Sequence, residues 1–206
     1  MKKSVSLKLI IFSFLLVSGS ITYSATPTIE AGTGTDSTEA GIDNEASKEK
    51  SSAFGYKNIA DGEESSAFGF SNTASGKRSS AFGHSNKASG ERSSAIGYNN
   101  EVTGLESSVL GNNYKVTGNH SGAFGIGTYD EVNRVYKRIN GGGNSYMIGN
   151  DNNIAKGAND NFILGNGVDI GVDSNGRKIE GSVVLGHGSS VSESEVVSVG
   201  TPDGGR

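Results

Sequence analysis

A four-residue phrase that ends in a large apolar residue and a glycine recurs every 14 residues through the middle of the chain. A second glycine follows the first by seven residues in the first five copies. Glycine every seventh residue would cost a helix about 1 kcal/mol per glycine relative to alanine, whereas short strands joined by tight turns accommodate it. Each copy is therefore predicted to be one coil of an all-β solenoid. The ten phrases lie at 52–55, 66–69, 80–83, 94–97, 108–111, 122–125, 146–149, 162–165, 183–186 and 197–200.

The two residues before each glycine belong to opposite faces of a strand, because side chains alternate. The larger residue, directly before the glycine, is predicted to fill the structural core of the coil: Phe54, Phe68, Phe82, Ile96, Leu110, Phe124, Ile148, Leu164, Leu185 and Val199. The residue before it is then predicted to face outward. An apolar stripe along a rod of about 50 Å is more than a soluble monomer exposes, so it predicts contact between copies. A mostly alanine stripe that tolerates water is the alternative. The candidate residues for this contact between copies are Ala67, Ala81, Val109, Met147, Ile163 and Val184.

Smaller residues recur in the second half of each coil. Five places after the glycine lies a small apolar residue, such as Ala60 or Ala74, which is predicted to oppose the large one. Asparagines also recur in register and are predicted to hydrogen-bond along the column: Asn58, Asn72, Asn86 and Asn100.

The N-terminal 50 residues lack the repeat. Residues 1–25 are typical of a secretory signal, since lysines precede a short apolar run and a tail of small residues. Export is therefore predicted. Residues 26–50 are rich in Thr, Gly, Glu and Ser and are predicted to be a flexible segment. The repeating region would then occupy residues 51–200, with insertions near 126–143 and 170–181.

The repeating phrases resemble those of a known family. Ser-Ala-Phe-Gly, Ser-Ala-Ile-Gly and Ser-Val-Val-Leu-Gly every 14 residues, with x-x-Asn-x-Ala-x-Gly between them, are similar to the head repeats of YadA-like trimeric autotransporter adhesins over residues 51–206. The resemblance implies a left-handed parallel β-roll of about ten coils in a homotrimer. It also implies a neck that starts at 201–206, and a stalk and membrane anchor in a longer protein. Phenylalanines and alanines in the early coils, and the two insertions, depart from the family pattern.

The resemblance also implies a function. An adhesin head on the bacterial cell surface would attach to host matrix, such as collagen or fibronectin, or to a host cell-surface receptor such as the CEACAM group. Autoaggregation of neighbouring cells without a host ligand is the alternative. The formal net charge of −4 argues against nucleic acid as a partner, and contact with the membrane is expected only through the missing anchor.

Two interruptions of the repeat supply the candidate ligand-binding residues. The first adds ten residues between Gly125 and Gly149, and the second reads as a hairpin around Asn175-Gly176. Tyrosine and arginine are enriched in binding hot spots, and insertions in solenoids often lie on the binding face. A role in capping or bracing the trimer is the alternative. The candidates are Tyr129, Arg134, Tyr136, Lys137, Arg138, Arg177 and Lys178.

No catalytic, metal or cofactor site is predicted. The three histidines, His84, His120 and His187, belong to separate coils and are not expected to cluster. The serine columns lack a recurring histidine and are better explained as turn and ladder residues. The chain is therefore predicted not to be an enzyme.

Overall fold

The computed structural model describes residues 28–200 as two parallel sheets wound into one solenoid, with no helix in that range. The predicted signal at 1–25 and the predicted start of a neck at 201–206 lie outside the described residues. Within 28–200 there is no helix long and apolar enough to cross a membrane.

The larger sheet carries the repeating phrase. Its 12 strands follow chain order. From β2 onward successive strands pair in parallel and in register, so that Phe54 lies beside Phe68 and Gly55 beside Gly69. The strands are β1 (Thr28–Ala31), β2 (Thr38–Ile42), β4 (Ser52–Tyr56), β6 (Ser66–Phe70), β8 (Ser80–His84), β10 (Ser94–Tyr98), β12 (Ser108–Asn112), β14 (Gly122–Ile126), β18 (Tyr146–Ile148), β20 (Phe162–Leu164), β22 (Val183–Leu185) and β23 (Val197–Val199).

The smaller sheet closes each coil with strands of two residues. Its nine strands are β3 (Glu45–Ala46), β5 (Ile59–Ala60), β7 (Thr73–Ala74), β9 (Lys87–Ala88), β11 (Glu101–Val102), β13 (Lys115–Val116), β17 (Ile139–Asn140), β19 (Asn153–Ile154) and β21 (Asp169–Ile170). An antiparallel hairpin of β15 (Tyr129–Asp130) and β16 (Val135–Tyr136) stands outside both sheets. The predicted parallel β-solenoid with 14-residue coils is confirmed.

Glycine in the phrase is required by both conformation and stacking. Gly55 has a φ of 116°, and a Cβ atom at this position would lie 2.1 Å from the carbonyl oxygen of Gly69 in the next coil. A side chain would therefore separate the coils and break the parallel pairing.

The segment predicted to be flexible, 26–50, instead contains a further coil. Strand β2 pairs in register with β4, and β3 pairs with β5. Strand β1 then pairs antiparallel with β2, and the amide of Gly34 donates to the carbonyl of Ala46. The prediction was wrong because Thr38–Ile42 has Glu39 at the position of Ala53, which hides the repeat. The segment 28–37 thus covers the N-terminal end of the rod.

The two faces of the larger sheet are reversed relative to the sequence prediction. The predicted interface residues Ala67, Ala81, Val109, Met147, Ile163 and Val184 are all buried in the core. The predicted core residues instead face outward: Phe54, Phe68 and Leu185 are half-buried, and Phe82, Ile96, Leu110, Phe124, Ile148, Leu164 and Val199 are exposed. Both assignments have the same period of two, so the pattern alone does not fix which face is inside.

The thickness of the coil explains the reversal. The buried residue of the larger sheet opposes the buried residue of the smaller sheet, and in the early coils both are alanines, as in Ala53 and Ala60. Buried Ser51 and Asn58 occupy the corners of the same coil. An interior that two alanines fill at close packing has no room for a phenylalanine ring, so the large residues lie outside.

A buried asparagine column joins the early coils, as predicted. The amide nitrogen Nδ2 of Asn72 lies 3.0 Å from Oδ1 of Asn58 in the preceding coil and 2.7 Å from the carbonyl oxygen of Gly83 in the next. The backbone amide of Asn72 also donates to Oδ1 of Asn58. Each buried amide group therefore bonds to the coils on both sides.

Tyr114 replaces asparagine where this column meets the first insertion. Its hydroxyl donates to the carbonyl oxygen of Gly149 at 2.8 Å and accepts from the backbone amide of Asn152 at 3.1 Å. Burial raises the pKa of Tyr114 to about 12, so the hydroxyl keeps its proton near neutral pH. The side chain thus spans the interrupted coil and bonds to the one beyond it.

Candidate interaction surfaces

A row of large apolar side chains runs along the outer face of the larger sheet. We call the residues directly before the phrase glycines, Phe54 to Val199 as given above, the outer ridge. The rings of Phe54 and Phe68 stack with centroids 4.8 Å apart, and Phe124 is 53% exposed. A continuous row of this kind on a single chain marks a surface for association.

A second column lies beside the outer ridge, two residues earlier on each strand. We call its first members, Ser52, Ser66, Ser80, Ser94, Ser108 and Gly122, the serine column. Tyr146, Phe162, Val183 and Val197 continue it in the later coils. Where the small residues meet Tyr146, the face has a groove of about 470 Å³ that Ile96, Leu110 and Phe124 line together with Gly122 and Tyr146.

Aromatic residues that follow the phrase glycines form a short ladder at the other border of the sheet. Tyr56 and Phe70 stack at 5.2 Å, and His84 makes edge contacts with Phe70 and Tyr98 at 4.7 and 5.1 Å. His84 therefore packs as an aromatic ring.

The first insertion is the β15–β16 hairpin. The rings of Tyr129 and Tyr136 meet edge to face at 4.9 Å, and Lys137 forms an ion pair with Asp130 at 3.0 Å. The carboxylate of Asp130 also accepts hydrogen bonds from the side chain and backbone of Asn133 in the turn. Bonds from Asn133, and then from Lys137, hold the pKa of Asp130 well below its usual range. The turn of the hairpin is therefore organised around one carboxylate.

The hairpin folds back onto the rod through Tyr136. Its hydroxyl donates to Oδ1 of Asn99 at 3.4 Å, and Nζ of Lys115 lies 5.9 Å from the ring centroid. Burial raises the pKa of the Tyr136 hydroxyl. A slot of about 310 Å³ remains between hairpin and rod; it is lined by Glu101, Lys115, Arg134, Val135, Tyr136 and Ile139.

The three cations of the hairpin differ in their surroundings. Lys137 is paired with Asp130, and Nε of Arg138 lies 3.9 Å from Asp151. Among the ion pairs formed within 28–200, none involves Arg134, which is exposed in the turn beside Val132. Val132 is 91% exposed. The tip therefore presents Val132 and Arg134 to solvent together with Glu131 and Asn133.

The second insertion is a smaller excursion. Val172 and Lys178 form an isolated antiparallel bridge, and Asp173 accepts from the backbone amides of Asn175 and Arg177. These bonds, that from Arg177 first, lower the pKa of Asp173. The side chains of Arg177 and Lys178 are exposed.

The two insertions join opposite ends of strands of the smaller sheet, one before a strand and one after a strand. The hairpin enters strand β17, whereas the second insertion leaves strand β21, two strands further along. The candidate ligand-binding residues therefore form two separate groups, Tyr129 to Arg138 and Arg177 with Lys178.

Sequence reasoning missed three features of these surfaces. Val132 was not among the candidate ligand-binding residues but is exposed at the hairpin tip. Gly122 and Tyr146, which shape the groove, were read only as members of the repeat. The signal for them was available, because Gly122 and Tyr146 replace a serine that recurs in the five preceding phrases.

His120 takes part in a group of surface ion pairs. Nε2 of His120 lies 3.4 Å from Glu106, which also pairs with Arg92. In the part of the chain that the structure describes, no group of three His, Asp or Glu side chains is placed to share a metal ion.

Comparison with known proteins identifies the early coils. The family model of the YadA head domain repeat matches the chain twice, at residues 46–72 and 74–100. The two matches fall on consecutive regular coils, so the prediction of YadA-like head repeats is confirmed. A search of curated proteins finds no match to the chain.

Proposed function

From its YadA head domain repeats, we propose that this chain is the head of a trimeric autotransporter adhesin. The family implies a cell-surface adhesin that forms trimers, and neither the family nor the solenoid is typically enzymatic. The observation that carries the proposal is the outer ridge, an apolar surface along the whole rod. Three left-handed rolls that share this surface would stand on the outer membrane with the head exposed.

The hairpin tip is proposed to contact a host protein. Lys137 and Arg138 lie near carboxylates of the chain itself, and Tyr136 packs against the rod. Val132 and Arg134 are the exposed apolar and cationic side chains of the turn, beside the exposed Glu131 and Asn133. An apolar side chain next to an arginine suits a protein surface with an apolar patch and a nearby carboxylate. Such a surface could belong to a matrix protein or to an immunoglobulin-superfamily receptor.

The test is a paired substitution at the tip, Val132→Ser with Arg134→Glu. Binding would be measured to immobilised collagen, fibronectin and a CEACAM-group ectodomain. We expect at least a tenfold loss of affinity for one of them, while the trimer mass stays the same. Lys87→Glu, on an exposed strand of the smaller sheet, is the matched control with the same change of charge.

A separate variant, Arg177→Glu with Lys178→Glu, tests the second insertion. If neither variant changes affinity for a protein that the wild type binds, the insertions are not the binding surface. Binding that survives both would assign the contact to the regular coils.

Self-association between cells is a second candidate, and strand β1 favours it. All four residues of β1 are exposed, and the strand forms the N-terminal border of the larger sheet. A strand at the border of a sheet offers backbone groups to another strand. Two heads that meet tip to tip could pair β1 with β1.

Clumping of cells that carry the adhesin, without host material, tests this candidate. Ile29→Pro removes a backbone donor from β1, and we expect it to abolish clumping while host-protein binding persists. Clumping that is unchanged in Ile29→Pro would refute tip-to-tip pairing.

A further inference from the structure

The slot between hairpin and rod has a floor made by one column of the smaller sheet. Glu101, Lys115 and Ile139 occupy equivalent positions on β11, β13 and β17, which pair in register. They lie on the outer side of the sheet, because the next residue on two of these strands, Val102 or Val116, is buried in the core. Strands of successive coils are about 4.8 Å apart, so the floor is about 10 Å long.

The hairpin forms the wall of the slot. Arg134, Val135 and Tyr136 line the space, whose volume is about 310 Å³. Strand β16 is held in place by its pairing with β15 and by the hydrogen bond from the hydroxyl of Tyr136 to Asn99. Ligand pockets start at about 300 Å³, so a slot of this size suits one side chain. The fold therefore forms a small pocket without help from a ligand.

The slot has more positive than negative charge. Nζ of Lys115 lies 2.9 Å from Oε2 of Glu101, so these two groups on the floor neutralise each other. Arg134 adds a second cation, and among the ion pairs formed within 28–200 none involves it. Glu131, in the same turn, is exposed and is not part of the lining. One excess positive charge is therefore left in the slot of a chain whose formal net charge is −4.

Partial burial strengthens the charges on the floor. The side chains of Lys115 and Glu101 are 30% and 19% exposed. Charges that are partly buried are screened by salt much less than charges on an open surface. An ammonium group has three N–H donors, and the bond to Glu101 uses one of them. Lys115 can therefore donate to a second carboxylate.

The same slot offers apolar surface. Val135 is 48% exposed, and Ile139 is half-buried at the end of the floor. A group that fills this space and matches its charge has a short apolar portion that ends in an anion. The glutamate side chain has this form, with two methylene groups and a carboxylate.

We propose that the slot binds an acidic side chain of the host protein, a glutamate whose carboxylate pairs with Arg134 and Lys115 and whose methylene groups lie against Val135 and Ile139. The inference rests on the proposed contact between the hairpin tip and a host protein, and it names the group that would anchor that contact. A guanidinium group binds a carboxylate through two parallel hydrogen bonds. Arg134 is therefore expected to contribute most to the choice of an acid.

Methyl NMR of the isotope-labelled chain measures this binding, because Val135 and Ile139 report from inside the slot. The probe is N-acetylglutamate N-methylamide, and the corresponding glutamine compound is the matched neutral probe. We expect the glutamate probe to shift both methyl resonances, with a dissociation constant at least about fivefold lower than that of the glutamine probe.

Two substitutions in the slot should act in opposite directions. Arg134→Gln removes the second cation and should abolish the preference for the glutamate probe. Glu101→Gln removes the competing carboxylate and should raise the affinity for that probe at least about twofold, whereas general damage to the slot would lower it. Arg78→Gln, which breaks an exposed ion pair with Glu64 outside the slot, is the control and should change neither value.

The outcomes separate the slot from the host contact. Equal binding of the two probes, or weaker binding of the glutamate probe by Glu101→Gln, overturns the slot. In the host-protein assay, Glu101→Gln should also raise affinity at least about twofold, although the tip is unaltered. Unchanged host affinity in Glu101→Gln, together with a loss in the tip variant, overturns the slot and leaves the tip contact standing. A glutamate preference together with host binding that survives the tip variant refutes the tip contact and supports the slot.

Discussion

The early coils, up to β14, and the later coils, from β17 onward, build the same solenoid with interiors of different size and regularity. The early coils have five-residue strands, alanine interiors and the buried asparagine column. The later coils have three-residue strands, and Met147, Ile163 and Val184 occupy the buried positions of the larger sheet. Val168 stands at the position of the asparagines and is also buried. The later coils thus bury larger apolar side chains, while Asn152 and Asn161 still make side-chain hydrogen bonds between coils.

A solenoid tolerates irregular coil length where its interior is mainly apolar. A hydrogen-bonded column needs identical residues in register, and the early coils keep the 14-residue spacing throughout. Apolar contacts are less directional, and the later coils accept spacings of 24, 16 and 21 residues between glycines from Gly125 to Gly186. Both insertions follow β14, where the regular column has ended.

The largest expected effect comes from exchanging the buried residues of the two regions. Ile163→Ala should lower the free energy of unfolding by about 2–5 kcal/mol, because it leaves a cavity. Ala81→Ile, at the equivalent position, should cost about 1–3 kcal/mol by overpacking an alanine interior. Urea unfolding followed by circular dichroism measures both. A stabilising Ala81→Ile would mean that the early coils have spare room, which would contradict a closely packed alanine interior.

Substitution in the asparagine column should have the next largest effect on the free energy of unfolding. Asn72→Val, which copies the later Val168, should cost about 2–3 kcal/mol because the buried amides of Asn86 lose their acceptor. The same unfolding measurement applies. Lys77→Ala, in an exposed ion pair, is the control and should change stability by less than about 0.5 kcal/mol. If the two substitutions lower stability equally, the buried asparagine column does not stabilise the coils more than an exposed ion pair does.

Tyr114 joins the two regions, and removing its hydroxyl should lower the free energy of unfolding moderately. Tyr114→Phe leaves the carbonyl of Gly149 and the amide of Asn152 without this partner and should cost about 1–2 kcal/mol. Faster hydrogen exchange at the amide of Asn152 would localise the loss. Tyr98→Phe changes an exposed tyrosine and should leave exchange there unaltered. If exchange at Asn152 does not respond, the regions are held together without Tyr114.

The smallest effect is a pH dependence confined to the hairpin. The pKa of Asp130 is lower in the folded chain than its ordinary value of 3.8. The stability that ionised Asp130 gives to the hairpin is therefore fully present above pH 3.8 and is lost as the pH falls through the folded pKa. We expect the amides of Val132 and Asn133 to lose protection below about pH 3.8, and Asp130→Asn to reduce this pH dependence. Amide exchange by NMR measures it. A loss of protection at higher pH would point to another group.

The sequence predicted the coils because the phrase glycines recur at a positive-φ position where a Cβ atom would collide with the next coil. It also predicted the asparagine column, whose members recur without interruption. The side that faces inward could not be predicted in this way, because Ala53 and Phe54 follow the same alternation and only the thickness of the coil decides between them. The coil at Thr38–Ile42 escaped notice because Glu39 stands where later coils have alanine.

The candidate site was predictable in position but not in detail. The added length between Gly125 and Gly149 located the hairpin, and its composition drew attention to tyrosines and cations. Sequence could not separate Tyr136, which packs on the rod, from Val132, which faces solvent, because folding back depends on contacts with Asn99 and Lys115 in other coils. For the same reason, the pairing of Lys137 with Asp130 became visible only in three dimensions.

The bridge that Tyr114 makes past the interrupted coil suggests how such a head could diversify. The hairpin leaves the rod after β14 and returns at β17, and both strands pair in register with the coils on either side. Tyr114 bonds directly to the coil beyond the hairpin. The connection between the coils therefore does not depend on the length or sequence of the loop. This position could therefore exchange one recognition loop for another during evolution, or accept a grafted peptide for display, while the scaffold beneath it stays unchanged.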